Sequence, residues 1–236
     1  MNKSKRILLL STSAVFGGGY LDYAQEEVRD FLGGARVLFV PHALHDHAAY
    51  AGRARSAFTR FGLKLDSLHE AEDAREAVAQ AEAIFIGGGN TFRLLKQLQE
   101  LDLLGAIRGR VEQGLPYMGS SAGSNVAGPT IRTTNDMPIV EPQSFEALGL
   151  VPFQINPHYL DPAPGSTHMG ETRAERILQF LEENETPVIG LREGAFLRIE
   201  NGSCELQGEA GARLFRRKMN PINLEPGSID RFLPAA

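Results

Sequence analysis

The chain has 236 residues, 42% of them hydrophobic, which is typical of one large globular domain and predicts a single domain over residues 1–236. The net charge of −5 and the pI near 5.7 exclude a global attraction to nucleic acid or to anionic membranes, so neither is an expected partner. The single cysteine, Cys204, excludes an internal disulfide and a cysteine-based zinc site.

The first apolar run is short. It covers only Ile7–Leu10 before the polar segment 11–13 interrupts it, whereas a signal peptide needs a longer apolar core. A buried first strand is the better interpretation. No stretch reaches the roughly 18 apolar residues of a membrane span. We therefore expect a cytoplasmic protein.

Apolar runs alternate with helical periodicity through the first half of the chain. Short apolar strands separated by amphipathic helices indicate a parallel sheet covered on both faces, and hence a doubly wound α/β fold. In such folds the functional residues gather at the carboxyl ends of the strands. The predicted strands are Arg6–Leu10, Arg36–Pro41, Ala83–Ile86 and Pro116–Gly119, and the predicted helices centre on residues 21–31, 92–98 and 104–111.

After about residue 185 the pattern changes to strands joined by tight turns, one of them Asn201-Gly202. We expect these strands to form an antiparallel extension of the same domain. They are Pro187–Leu191, Ala195–Ile199, Ser203–Leu206 and Ala212–Phe215.

The sharpest local motif is Gly119-Ser120-Ser121-Ala122-Gly123, which follows an apolar strand. A G-x-S-x-G pattern suits a strained strand-to-helix turn that exposes the central serine hydroxyl. Small flanking residues allow the sharp turn and the approach of a substrate. Glycine and serine also form ordinary turns, so a plain turn is the alternative. The motif makes Ser121 the candidate nucleophile.

A serine nucleophile needs a base and a group that orients the base. His158 follows the apolar run Leu150–Ile155, which places it at the carboxyl end of a strand. Glu193 also follows an apolar strand, and Asp136 fits the order serine, acid, histidine of the α/β-hydrolases. A structural histidine and a solvated glutamate are the alternatives for the first two residues.

An oxyanion hole is predicted at glycines 87–89, which join the strand Ala83–Ile86 to a helix. Glycines let the backbone expose its amides, and a helix N-terminus adds partial positive charge. We expect the amides of Gly89 and Ala122 to be the two donors. A phosphate-binding loop is the alternative, although the spacing matches neither G-x-G-x-x-G nor a P-loop.

A metal site is not expected. His42, His45 and His47 lack the H-E-x-x-H spacing, and only Asp46 offers a carboxylate beside them. We interpret the segment as a loop near the mouth of the site, and we expect no cofactor. Cys204 has no histidine nearby in sequence, so a cysteine nucleophile is not expected either.

Five segments that occur in order along the chain closely resemble peptidase E, the aspartyl dipeptidase family. The resemblance spans at least residues 80–195, and the long segment from Pro129 to Val140 is highly specific. The segments are IGGGNTF at Ile86–Phe92, GSSAG at Gly119–Gly123, PTIRTTNDMPIV at Pro129–Val140, QINPH at Gln154–His158 and GETR at Gly170–Arg173.

The resemblance implies a serine hydrolase with a fold akin to the class I glutamine amidotransferases. It implies a Ser-His-Glu triad, which falls on Ser121, His158 and Glu193. It therefore favours Glu193 over Asp136 as the orienting acid and places Asp136 in the pocket wall or near the substrate's amine. One departure is Ser120, where the family is expected to have an aromatic residue such as tryptophan.

An aspartyl dipeptide carries a free amine and two carboxylates, and burying these ions requires charged partners. The segment 172–175 resembles a capping box, which would set Arg173 at the positive end of a helix. The resemblance also supports Arg173 as the residue that binds the aspartate side chain. The other predicted substrate-binding residues are Asn90, Asp136, Arg132 and His168, with a solvated surface position as the alternative for the last two.

The sequence thus predicts a serine dipeptidase that cleaves dipeptides with an N-terminal aspartate (Asp-Xaa) through an acyl-enzyme on Ser121. A broader dipeptidase or a cyanophycinase-like hydrolase is the first alternative. A non-catalytic ligand-binding protein that keeps the pocket is the second. A homodimer is expected only because it is the commonest assembly class.

Overall fold

The computed structural model describes residues 4–162, 165 and 169–233, and within them the chain folds around two β-sheets. The first five strands are parallel and lie in the larger sheet in the order β1-β5-β4-β2-β3. They are β1 (Ile7–Leu10), β2 (Val37–Val40), β3 (Leu65–Ser67), β4 (Ala83–Ile86) and β5 (Tyr117–Ser120).

Helices cover both faces of this sheet. The first two pack on the face that carries Phe39 and Phe85, and the next three pack on the face that carries Ile84 and Ile86. Their apolar stripes account for the helical periodicity seen in the sequence. The helices are α1 (Gln25–Leu32), α2 (His47–Arg60), α3 (Ala74–Gln80), α4 (Thr91–Glu100), α5 (Leu104–Glu112), the short α6 (Ala122–Asn125) and α7 (Arg173–Glu183).

The predicted doubly wound, mostly parallel sheet with late antiparallel strands is confirmed. The late strands, however, divide between the two sheets. Strand β8 pairs antiparallel with β1, and β9 and β12 continue the larger sheet beyond it to a total of eight strands. The bounds are β8 (Phe196–Glu200), β9 (Ser203–Gln207) and β12 (Gly227–Ser228).

The remaining strands form a four-stranded sheet in the order β11-β10-β7-β6. Here β6 and β7 are parallel, while β10 is antiparallel to both of its neighbours. The bounds are β6 (Gln154–Tyr159), β7 (Val188–Arg192), β10 (Ala212–Phe215) and β11 (Ile222–Leu224).

The smaller sheet lies between the main core and α7. Ile155 and Ile189 belong to the same buried cluster as Val126, which follows α6, whereas Val188 and Phe215 pack with Ile177 of α7. This packing brings the carboxyl ends of β6 and β7 next to the carboxyl end of β5. In the described part of the chain no helix is long and apolar enough to cross a membrane.

Candidate active site

Ser121 occupies a strained turn between β5 and α6. Its backbone has a φ of 52° and a ψ of −109°, a conformation that non-glycine residues rarely adopt. The flanking glycines allow the turn, because a Cβ on Gly119 would lie 2.5 Å from the carbonyl oxygen of Gly123, and a Cβ on Gly123 would collide with the carbonyl of Ile86. The G-x-S-x-G motif therefore forms the sharp strand-to-helix turn that its spacing predicts.

His158 lies at an irregularity of β6, where the register with β7 shifts between Asn156 and Tyr159. Its backbone also has a positive φ, of 53°. The imidazole Nε2 lies 2.9 Å from Ser121 Oγ, which is within hydrogen-bond distance. The structure thus brings together the predicted nucleophile and the predicted base.

Glu193 follows β7 directly, and its Oε1 lies 2.7 Å from His158 Nδ1. The three side chains form one continuous hydrogen-bonded chain from hydroxyl to imidazole to carboxylate. The Glu193 side chain is 58% exposed, so this carboxylate is far more solvated than the imidazole it contacts, which is 34% exposed. A carboxylate can only accept at Nδ1, which favours the tautomer with the proton on Nδ1 and leaves Nε2 to accept from the serine hydroxyl.

Asp136 takes a different position from the one required of an orienting acid. Its Oδ2 accepts hydrogen bonds from the Thr91 amide at 2.7 Å and from the Thr91 hydroxyl at 2.6 Å, so it lies at the N-terminus of α4. Asn90 is the N-cap of that helix: its side chain accepts from the Arg93 amide and donates to the Met137 carbonyl. Both predicted substrate-binding residues therefore line the helix N-terminus beside the glycine loop.

The glycine loop and the start of α6 both adjoin Ser121. A Cβ on Gly88 would lie 2.9 Å from Ser121 Cβ, so the glycine loop passes directly beside the serine. The amides of Gly89 and Ala122 have no acceptor within the described residues. Two unpartnered N–H groups next to a serine are what an oxyanion hole requires.

Arg173 opens α7, and the predicted capping box is present, with Thr172 and Glu175 bonding each other's backbone amides. One guanidinium nitrogen of Arg173 donates to the carbonyl oxygen of His158. Burial lowers the pKa of Arg173, and Arg176 lowers it further, while the nearby carboxylates of Glu193 and Asp136 oppose both effects. Arg173 therefore contacts the backbone of His158 and interacts electrostatically with Glu193 and Asp136.

The remaining predicted substrate-binding residues are Arg132 and His168. Arg132 is exposed, and its guanidinium stacks 4.9 Å from the ring centroid of Phe145. No hydrogen bond joins it to the triad within the described residues, so its role in binding stays a prediction. His168 lies outside the described residues.

The histidine-rich segment lies beside the glycine loop, because the Asn90 amide donates to the Ala43 carbonyl. His42 is buried, and its ring centroid lies 4.6 Å from that of His47, which in turn lies 6.0 Å from that of His69. Burial lowers the pKa of His42 to about 4, and the two neighbouring imidazoles add to the effect. Among residues 4–162, 165 and 169–233, no group of three or more potential ligands could hold a metal ion.

The sequence matches the family model described as peptidase family S51 over residues 7–207. This chain belongs to peptidase family S51. It is therefore a peptidase, and the resemblance to peptidase E is confirmed.

Related proteins can be aligned with this peptidase over nearly its whole length. Peptidase E of Streptomyces coelicolor is 56% identical over 223 residues, which cover 94% of this chain and 92% of that protein. A Drosophila melanogaster protein named "Probable alpha-aspartyl dipeptidase" is 48% identical, with 96% of both chains covered. The crystal structure of a peptidase from an acI-B1 Actinobacterium has the same fold, with a TM-score of 0.73 at 19% identity and coverage of 97% and 98%.

Sequence reasoning missed two polar residues that contact the site of the peptidase. Ser11 binds the backbone of His158, and Tyr50 contacts the glycine loop, where a Cβ on Gly87 would lie 2.5 Å from its hydroxyl. Ser11 could have been found as the first polar residue at the carboxyl end of β1. Tyr50 gave no such signal, since it lies within an amphipathic helix at an apolar position.

Proposed function

We propose that this peptidase is a serine dipeptidase that hydrolyses dipeptides with an N-terminal aspartate through an acyl-enzyme on Ser121. The observation that carries the proposal is the hydrogen-bonded chain from Ser121 through His158 to Glu193, with separations of 2.9 Å and 2.7 Å. A nucleophile, a base and an orienting acid at these distances are the components of covalent acyl transfer.

In the proposed acylation step, Ser121 Oγ forms a bond to the scissile carbonyl carbon while its proton moves to His158 Nε2. The tetrahedral intermediate then collapses with cleavage of the C–N bond, and the imidazolium gives the proton to the departing amine. Glu193 stabilises the imidazolium through Nδ1. Water next attacks the aspartyl ester, with His158 taking its proton and returning it to Ser121 Oγ.

The oxyanion that forms in each half of the reaction is assigned to the amides of Gly89 and Ala122. Both amides lack an acceptor among the described residues. Ala122 follows Ser121 directly, and Gly89 follows Gly88, where a Cβ would lie 2.9 Å from Ser121 Cβ. Preorganised donors of this kind each contribute about 10²-fold to 10³-fold in rate.

The proposed preference for aspartate depends on charge. The Arg173 guanidinium uses one nitrogen for the His158 carbonyl, and its remaining N–H groups have no short contact with a carboxylate among the described residues. A guanidinium with unused donors at a helix N-terminus suits a bound carboxylate. Asp136 is the group that would bind the substrate's amine, since its Oδ1 accepts no hydrogen bond from the described residues.

Location and assembly remain proposals as well. We propose the cytoplasm, since the first apolar run is the fully buried strand β1 of the sheet. We propose a homodimer because Phe16 and Met169 are large apolar side chains that are 106% and 97% exposed, on loops next to the site-bearing strands.

The test is kcat/KM on Asp-Leu, Glu-Leu and Leu-Leu, measured with a chelator present throughout. We expect a strong preference for Asp-Leu and no effect of the chelator. Equal cleavage of Leu-Leu would retain the serine mechanism and remove the aspartate pocket from the proposal.

A second measurement separates a serine enzyme from a protein that only binds ligands. A serine-directed fluorophosphonate should label the wild-type chain once, at Ser121, and block hydrolysis in proportion to the labelling. Full activity after complete labelling would contradict the assigned nucleophile.

A further inference from the structure

We propose that Ser11 is a positioning residue that holds His158 and Glu193 in place against Ser121. Ser11 follows β1 directly and is fully buried, so its hydroxyl needs partners within the protein. The inference rests on the proposed function, since it concerns the geometry of the same triad. It assigns a task to a residue that touches none of the reacting atoms.

The Ser11 hydroxyl links the strand of the base to the strand of the acid. It accepts a hydrogen bond from the His158 amide at 2.8 Å and donates one to the carbonyl oxygen of Leu191 at 2.7 Å. Leu191 lies two residues before Glu193. The Ser11 amide adds a third bond, to the carbonyl of Ala195 at 3.1 Å, just beyond the acid.

The residue before Ser11 holds the nucleophile. The carbonyl oxygen of Leu10 accepts a hydrogen bond from the Ser121 amide at 3.0 Å and another from the Ser124 hydroxyl at 2.7 Å. Two consecutive residues at the end of β1 therefore contact the backbone of all three triad segments. On the β1 side, the Ser11 hydroxyl is the side chain that makes these contacts, so Ser11→Ala removes its bonds to His158 and Leu191 and leaves the backbone contacts.

His158 depends on this hydroxyl because its own strand does not hold it. Its φ of 53° lies at the point where the β6–β7 register shifts, and it has no partner residue in that ladder. Its amide is bound by Ser11 and its carbonyl by Arg173, both through side chains. Removal of the Ser11 hydroxyl leaves a buried N–H without an acceptor and frees the peptide to rotate.

The experiment compares Ser11→Ala with Ser67→Ala in the full-length protein. Ser67 is a matched control, because it is 3% exposed and its hydroxyl makes one 2.7 Å hydrogen bond, to His69, on the edge strand β3. We expect Ser11→Ala to lower kcat on Asp-Leu by about 10-fold to 100-fold with KM changed less than about threefold, since small displacements of catalytic groups have effects of this size. Ser67→Ala should keep kcat within about twofold of the wild type.

A second readout does not depend on dipeptide cleavage. In the wild-type protein the imidazole proton shared with Glu193 should give a strongly downfield proton NMR resonance. We expect Ser11→Ala to lose or shift this resonance and Ser67→Ala to keep it. If the wild type cleaves no dipeptide, the proposed function fails, and the resonance still decides the role of Ser11.

The proposal is overturned if Ser11→Ala keeps both kcat and the resonance, or if both variants lose activity equally. Should Ser11→Ala not fold, Ser11→Thr decides, because it retains a hydroxyl. The proposal then requires kcat within about fivefold of the wild type and an unchanged resonance, and loss of both would overturn it.

Discussion

The Ser121 hydroxyl reaches the imidazole because the backbone at this residue takes a conformation that few side chains tolerate. Among the described residues, the hydrogen-bond partner of His158 Nε2 is the Ser121 hydroxyl, at 2.9 Å. Ser120 lies one position earlier, but it is fully buried and its Oγ has no hydrogen-bond partner among the described residues. The two serines of the motif therefore differ in access as well as in position.

This difference gives the first prediction. Ser121→Ala should lower kcat/KM on Asp-Leu by about 10⁴-fold or more, because a triad without its nucleophile loses most of its catalysis. Ser120→Ala is the control and should stay within about threefold of the wild type. Steady-state kinetics together with thermal unfolding check both. Activity of Ser121→Ala in protein free of host peptidases would exclude Ser121 as the nucleophile.

The second prediction concerns Arg173, whose guanidinium donates to the His158 carbonyl and is proposed to bind the aspartate carboxylate of the substrate. Arg173→Ala should lower kcat/KM on Asp-Leu by about 10²-fold to 10³-fold through loss of a charged partner of the substrate carboxylate. Leu-Leu should lose about tenfold, because the bond to the His158 carbonyl is lost as well. The control is Arg176→Ala, a 58% exposed side chain on the same helix. Equal losses on both dipeptides would argue against a role in recognising aspartate.

At the scale of elements, the glycine loop is held by the segment between β2 and α2. Gly89 has a φ of 137°, and a Cβ there would lie 2.5 Å from the Ala43 carbonyl. Gly89→Ala should therefore displace the loop amide and lower kcat by about 10²-fold to 10³-fold with little change in KM.

The control for the loop is Gly109→Ala in α5, where a Cβ meets no atom within 4 Å. Alanine in a helix interior should preserve kcat and stabilise the protein by about 0.5–1 kcal/mol. Kinetics and urea denaturation measure the two effects. An unchanged kcat in Gly89→Ala would remove this amide from the oxyanion hole.

The elements that sequence reasoning found are those with a strong local pattern. The parallel strands β1, β2, β4 and β5 are short apolar runs, and all four are fully buried. Strand β3 was missed because it has three residues and one of them is exposed. The parallel pairing of β6 with β7 was also missed, since it depends on which strands meet in space and no local pattern records it.

The same distinction holds for the site. Ser121 could be predicted as the nucleophile from the G-x-S-x-G motif alone. The sequence pattern left both Glu193 and Asp136 as candidates for the acid that orients the histidine. The structure separates them because Glu193 contacts the imidazole while Asp136 binds Thr91. The contact of Ser11 with His158 could not be predicted, because the two residues lie at the ends of strands in different sheets. Their proximity depends on how the two sheets pack, which no local sequence pattern records.

For the whole molecule, the buried His42, which lies beside His47, allows a prediction of how the free energy of unfolding depends on pH. His42 has a pKa of about 4 in the folded protein and 6.5 when unperturbed, so the unfolded chain binds a proton more readily between these values. The neutral, buried His42 therefore leaves the free energy of unfolding unreduced above about pH 6.5. As the pH falls from 6.5 toward 4, protonation of His42 in the unfolded chain lowers the free energy of unfolding. The size of this decrease is about 3 kcal/mol.

The measurement is urea denaturation at pH 7 and at pH 4.5 for the wild type and for His42→Phe. The loss of stability in acid should be smaller in the variant by about 2–3 kcal/mol. His45→Phe, which changes an exposed histidine of the same loop, should behave like the wild type. Identical pH dependence in the wild type and His42→Phe would mean that His42 is not buried as a neutral imidazole.

The division of the triad between two sheets has a consequence for the protein as it is made. Ser121 follows the parallel strands and emerges early from the ribosome, whereas β6 and β7, with His158 and Glu193, emerge later. Strand β8, which is made after Glu193, then pairs with β1 in the sheet that carries Ser121. A nascent chain therefore carries the proposed nucleophile without its base, and the hydrogen-bonded chain from Ser121 to Glu193 forms only after Glu193 has been made.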